Sequence, residues 1–373
     1  MRYHFAFTMR CFRFHFFLLM ALGFFLAAAS LPTHAQELDS EYGPLPVFEF
    51  HSGFWMNLHH FLYHEARARQ QIKDARDSAG KSSAPVLRQA PGSSVSLSPA
   101  EQKLWDEAIA FYLANYAMKD LQVNIDLILL KDQLGDFEDC DELTGKKKLT
   151  CDAGLPGKEG AVLESVAAIY RAHWWPAHNR ANRRWVIGVA PMVREQGVGL
   201  SERLAEIYQS KWPKEKIRVE VCAFANSAGA YTTLDPLHVT ISSTDPRNQG
   251  SDALEVLFHE SSHGLALPVQ NAITRECRQR EKPIPRNLWH ALIYYTTSEV
   301  LRPIIQGAAK ESGAANSAAT QKTKFASLPD ELKDNLTQRG WEDYLHVLMT
   351  YWQPYLDGRV TFEDAIAHMV SAI

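Results

Sequence analysis

Two histidines and a glutamate carry the sharpest chemistry in this chain. Leu257-Phe258-His259-Glu260-Ser261-Ser262-His263 places an H-E-x-x-H pattern inside an apolar run with helical spacing. Side chains four residues apart stack on one helical face, so His259 and His263 can grip one metal ion together. Two imidazoles at this spacing suit zinc, and the glutamate between them can then reach a water on the metal. A hydrolytic zinc site also needs a third protein ligand, with the fourth position left to water. Val269 stands where an extended H-x-x-G-x-x-H pattern would put another histidine, so that ligand must come from farther along the chain.

Glu299 is the candidate. In the run Asn287 to Leu301, Leu288, Leu292, Tyr295 and Glu299 fall on one helical stripe. A carboxylate on a core-facing stripe is costly to bury unless a cation meets it, and zinc would be that cation. Asn287 is placed to cap this helix and Pro303 to help end it. Glu276 and Glu281 are rivals, but both lie in the charged run Arg275 to Lys282, which reads as solvated. Tyr295, one turn before Glu299, is placed to stabilise a tetrahedral oxyanion, with Tyr294, Tyr344 and His346 as alternatives.

H-E-x-x-H followed by a glutamate on a second helix resembles the gluzincin group of zinc metallopeptidases. The likeness covers about residues 237–301. It implies a zincin-like catalytic domain, zinc ligands His259, His263 and Glu299, and Glu260 as general base. The thermolysin-like branch carries an aspartate four residues after its third ligand. That position is Pro303 here, so the resemblance does not extend to that branch.

These side chains need a scaffold. Ser98-Pro99-Ala100-Glu101 is a capping box with proline at the first helical position, predicting a helix to about Lys119. A second helix is expected over about Gly160 to Trp174. Trp185 to Ala190 reads as a short apolar strand and Ser201 to Lys211 as a helix. Ile217, Val219 and Val221 alternate with Arg218 and Glu220, and Leu237, Val239 and Ile241 alternate with polar residues, predicting two half-buried strands. The motif helix should begin with a cap at Ser251 or a box made by Asp252 and Glu255, and stop near Gly264. The expected fold class is α+β: a mixed lobe over about 180–265, with a helical lobe over about 285–373. In zincins a strand just before the motif helix binds extended peptide along its edge, and the resemblance implies that part for Leu237–Ser242.

The remaining sequence sets the context. Arg2, Arg10 and Arg13 precede an almost wholly apolar run from Phe14 to Ala29, and Thr33-His34-Ala35 offers a small-residue cleavage site. This is the layout of a secretory signal peptide covering residues 1–35, and the run is shorter than the roughly 20 residues that span a bilayer. The expected destination is secreted or periplasmic, without stable membrane insertion after cleavage. Loss of those three arginines carries the net charge from -4 to -7, which gives no reason to expect nucleic-acid binding. Residues 36–98 read as an N-terminal segment and linker, since 78–98 is rich in Ser, Pro, Gly and Ala. Residues 99–373 read as the catalytic region, interrupted by a second low-complexity stretch at 306–322. An exported chain with Cys140, Cys151, Cys222 and Cys277 favours disulfides, pairing Cys140 with Cys151 and Cys222 with Cys277. His51, His59, His60 and His64 lack an acidic or cysteine partner at a recognised spacing and read as packing residues. Asn226-Ser227-Ala228-Gly229-Ala230 lacks the G-x-S-x-G pattern and reads as a turn.

The expectation is therefore an exported zinc metallopeptidase acting on a peptide or protein. A zinc hydrolase of a non-peptide or cell-wall amide is the alternative, as is a binding protein on an inactive zincin scaffold. Glu260 argues against the last, because a structural site has no need of it.

Overall fold

The computed structural model describes residues 43–78, 95–139, 154–155, 157–311 and 341–373. The signal segment, the Cys140–Cys151 loop and most of both low-complexity stretches lie outside them. The described residues fall within one unit, Thr33–Ile373.

The chain runs β1 (Phe48–His51), α1 (Phe54–Ser78), α2 (Pro99–Asn115), α3 (Ile125–Glu138), α4 (Gly157–His173), α5 (Trp175–Ile207), β2 (Ile217–Cys222), β3 (Ala230–Thr233) and β4 (His238–Ser242). It continues through α6 (Ser251–Ser262), α7 (Leu267–Gln279), α8 (Leu288–Glu311), α9 (Glu342–Val347), α10 (Gln353–Leu356) and α11 (Phe362–Ala372). This is a helix-rich α+β architecture around one mixed sheet, ordered β1-β2-β4-β3. β1, β2 and β4 are parallel, and β3 is antiparallel at the edge.

The sheet is covered on both faces. Phe48, Phe50, Ile217, Val219, Val239 and Ile241 pack one core against α5, α6, α8 and the C-terminal helices. Cys222 and Tyr231 join a second core with α1 to α4. This second layer explains a departure from the half-buried strands expected. Glu220 is fully buried, because α1 and α3 lie over the polar face of β2. Its charge is met by Arg218 at 2.6 Å and by His238 at 3.1 Å. Burial alone would raise that carboxyl, but Arg218 and the His238 hydrogen bond hold it well below the usual range.

Other expectations change for local reasons. Trp185–Ala190 is not a strand but the middle of α5. Trp185, Val186, Val189, Ala190 and Val193 are buried at spacings that suit a helix, a period that six residues viewed alone conceal. β1 comes from the segment set aside as N-terminal, where Phe48 and Phe50 alternate with Glu49 and His51. Pro303 lies inside α8 rather than ending it. Cys222 and Cys277 are free, buried thiols in different cores, so they do not pair. The capping box at Ser98 and Glu101 forms as expected. Among the described residues, no helix is long and apolar enough to cross a membrane.

Candidate metal centre

The motif helix is positioned from both ends. Gly250, at φ 58°, turns the chain into α6 with no side-chain cap, so neither Ser251 nor an Asp252–Glu255 box starts it. The preceding loop is pinned by Asn248, whose amide donates to the carbonyls of Gly229 and Ser242. Trp185 donates its indole N–H to the Asn248 carbonyl at 2.6 Å. After Ser262 the backbone tightens into a short turn, but His263 keeps helical angles, so His259 and His263 stay on one face. A Cβ on Gly264 would meet the Leu237 side chain at 2.8 Å, which allows the motif to sit tight against the segment leading into β4.

α8 packs along α6 and brings a third imidazole. His259, His263 and His290 each offer one ligand atom, and these atoms lie within 4.8 Å of one another. Nε2 of His290 is 3.4 Å from Nε2 of His259. The ring of His290 lies 4.8 Å from that of His263. Trp289 stacks on His290 and Trp341 meets it edge-on, holding the ring in an aromatic frame. Nearby, Tyr294 packs edge-on against His259 at 5.4 Å.

Glu299 is not brought to this cluster. It follows His290 by nine residues, two and a half helical turns, so it emerges from the opposite side of α8. Its side chain is only 5% exposed, and Arg302 pairs with it. The buried carboxylate does have a cation beside it, but that cation is a guanidinium one turn away rather than a metal. Tyr295 shares that far stripe and donates to Gln353 Oε1 at 2.6 Å, so it does not reach the histidines. Tyr344 donates to the Arg286 carbonyl, and His346 is exposed. Of the tyrosines considered, Tyr294 is the one that lines the site.

Glu260 is buried beside the cluster, its Oε2 4.0 Å from His263 Nε2. The Thr232 hydroxyl, on β3, lies 2.8 Å from both the Glu260 carbonyl and its Oε2. One hydroxyl thus ties the edge strand to the motif glutamate. Nothing in the sequence around Thr232 announced this role. His290 was more legible: it is the one histidine of its helix, on a stripe with Tyr294 and Ser298.

These groups surround a cavity of about 260 Å³. Ala230 and Tyr231 of β3, Glu255, Arg247 and Asn248 line it, with Asp120 and Gln122 from the α2–α3 connection. Asn226 and Ser227 border it and also a second cleft of about 840 Å³. Residues 226–229 form the expected turn, with Gly229 at φ 88°, and Ala230 already begins β3. β4 is paired on both sides, so the sheet edge beside the cavity belongs to β3 rather than to 237–242. Glu255, one turn before His259, is 2% exposed. Burial, opposed by the Ser298 hydrogen bond and aided by Asp252, pushes its carboxyl up to about 8.

Of the N-terminal histidines, His59 and His60 are packing residues, whereas His51 lies 3.7 Å from Glu49 and 3.8 Å from Asp139, and His64 stacks on Phe224 at the larger cleft. His59 bonds Tyr112, and His60 bridges the Met56 carbonyl and the Tyr231 hydroxyl. Burial lowers His60 to about 4.

The donor set fits a zinc ion. Imidazole is a common zinc ligand, and two such nitrogens at 2.0–2.1 Å from a tetrahedral ion stand about 3.3 Å apart. Comparison with family models, with curated proteins and with solved structures found no match to this chain.

Proposed function

We propose that this chain is an exported zinc-dependent hydrolase of peptide bonds, with a zincin-like catalytic core. The convergence of His259, His263 and His290 beside Glu260, at a cavity wall, is the observation that carries the reading. Bound by those imidazoles, zinc would act as a Lewis acid toward a carbonyl and lower the pKa of water.

The protein's own groups divide the remaining work. Glu260 accepts a proton from the attacking water and returns it to the leaving amine. Thr232 holds the Glu260 carboxylate in place by donating to it. Tyr294, on the wall facing His259, is the donor for the developing oxyanion. β3 offers edge backbone at Ala230 and Tyr231, against which an extended peptide can pair. The modest cavity favours, as a second reading, a small non-peptide amide.

Incubation of purified protein with a peptide mixture, followed by mass spectrometry, tests this. Cleavage should stop with a chelator and return with zinc. Cleavage that survives chelation, or its absence in zinc-loaded protein on peptides and small amides alike, would overturn the reading.

A further inference from the structure

The catalytic scheme leaves two carboxylates of the motif helix, Asp252 and Glu255, without a task, and of the two Glu255 is the one that lines the cavity. Glu255 lies four residues before His259, about 6 Å along the helix axis. It is nearly fully buried, yet it lines the metal-site cavity. Oε1 accepts the Ser298 hydroxyl at 2.5 Å. Oε2 is buried with no hydrogen-bond partner. Among the described residues, no lysine or arginine pairs with it.

A buried carboxylate needs a cation or several donors, and the protein gives this one a single hydroxyl. The cavity's own charges point the same way. Among the described residues, Asp120, Glu255 and Glu260 line it, against Arg247 alone of the lysines and arginines. That guanidinium is already held by Asp245 at 2.6 Å and by the Ser227 carbonyl at 2.9 Å. A recess walled by acids concentrates a positive ligand.

We propose that Glu255 recognises an ammonium group on the substrate, seated one helical turn from the three histidines. The ammonium donates to the vacant Oε2 while Ser298 keeps the carboxylate oriented. An N-terminal α-amine would place the first peptide bond at the histidines and make cleavage stepwise from the N-terminus. A lysine-type amine would instead select the residue at the cleavage point. That the cation belongs to a substrate rests on the hydrolase reading; that the recess binds an amine does not.

The test is calorimetric binding to full-length Glu260→Gln protein, with and without zinc, so that turnover does not intrude. The probes are alanine amide, N-acetylalanine amide and Nα-acetyl-lysine amide. At least one amine-bearing probe should bind tenfold or more tightly than N-acetylalanine amide. Tighter alanine amide identifies the α-amine, and tighter Nα-acetyl-lysine amide identifies the side-chain amine. Adding Glu255→Gln, which keeps an acceptor for Ser298, should erase the preference with no loss of melting temperature and with zinc uptake retained. Equal binding of all three probes, or no binding of any, overturns the proposal, as does a preference that survives Glu255→Gln. Should that variant fail to fold, the probe comparison in Glu260→Gln protein decides alone. If the protein takes up no zinc, the hydrolase reading fails by itself, and the metal-free titration still decides the amine site.

Discussion

Nε2 of His259 and Nε2 of His290 face each other at 3.4 Å across the α6–α8 contact. Two imidazole lone pairs aimed at one point repel unless a proton or a metal ion lies between them. With His263 one turn along, the pair completes a three-nitrogen site that neither helix holds alone. Glu299, on the reverse of α8, is already neutralised by Arg302.

That geometry separates two substitutions. His290→Ala should weaken zinc binding by at least about 100-fold, since even outer partners of a ligand are worth 10–100-fold. Glu299→Gln should leave zinc affinity within about threefold. Competition with a chromogenic chelator reads both. The reverse order of effects would restore the carboxylate ligand.

Glu260 and Thr232 act on the proton. Glu260→Gln should keep zinc and lower kcat by about 10²–10⁴-fold. Thr232→Val should keep zinc and lower kcat roughly ten- to a hundredfold, the loss expected for one hydrogen bond to a charged group. Without that donor the carboxylate protonates more readily, so the acid limb of the pH–rate profile moves to higher pH. Thr232→Ser should restore both readouts. An unmoved acid limb in Thr232→Val would show that the hydroxyl serves only the backbone carbonyl.

Neighbouring tyrosines on α8 make a matched pair. Tyr294→Phe should cost about 10²–10³ in kcat, the usual loss for an oxyanion donor. Tyr295→Phe should leave kcat alone and lower stability by about 1 kcal/mol, through the hydrogen bond to Gln353. Steady-state kinetics beside thermal melts tests the contrast. Equal kinetic effects would mean that the cavity wall has been misjudged.

Glu255 gives stability a pH signature. Its folded-state value, pushed up to about 8, exceeds the ordinary 4.5, so the folded chain holds this proton more tightly than the unfolded chain. Its contribution is fully present below about pH 4.5 and is lost as pH rises through about 8. In chelator-treated protein without amine, Glu255→Gln should therefore raise the melting temperature relative to wild type more at pH 9 than at pH 5. A difference that is the same at both pH values would contradict this.

Much of the scaffold was legible because local rules met no competition. The Ser98–Glu101 box and the strands β2 and β4 appear where the sequence put them, although both faces of those strands are covered. The metal site was legible only along one helix. H-E-x-x-H is a local pattern, but a third ligand depends on how α8 rotates against α6, and a helical stripe does not say which core it faces. Leu288, Leu292, Tyr295 and Glu299 do form a buried stripe, on the side away from the histidines. Thr232 was invisible because its role arises from β3 lying beside α6, a contact between distant segments.

X-ray absorption at the zinc edge of the reconstituted protein reads the ligand set itself. One zinc per chain is expected, coordinated by three imidazole nitrogens at about 2.0 Å and a fourth light atom. A spectrum with two imidazoles and a protein carboxylate, or a chain that takes up no zinc, would contradict the three-histidine site.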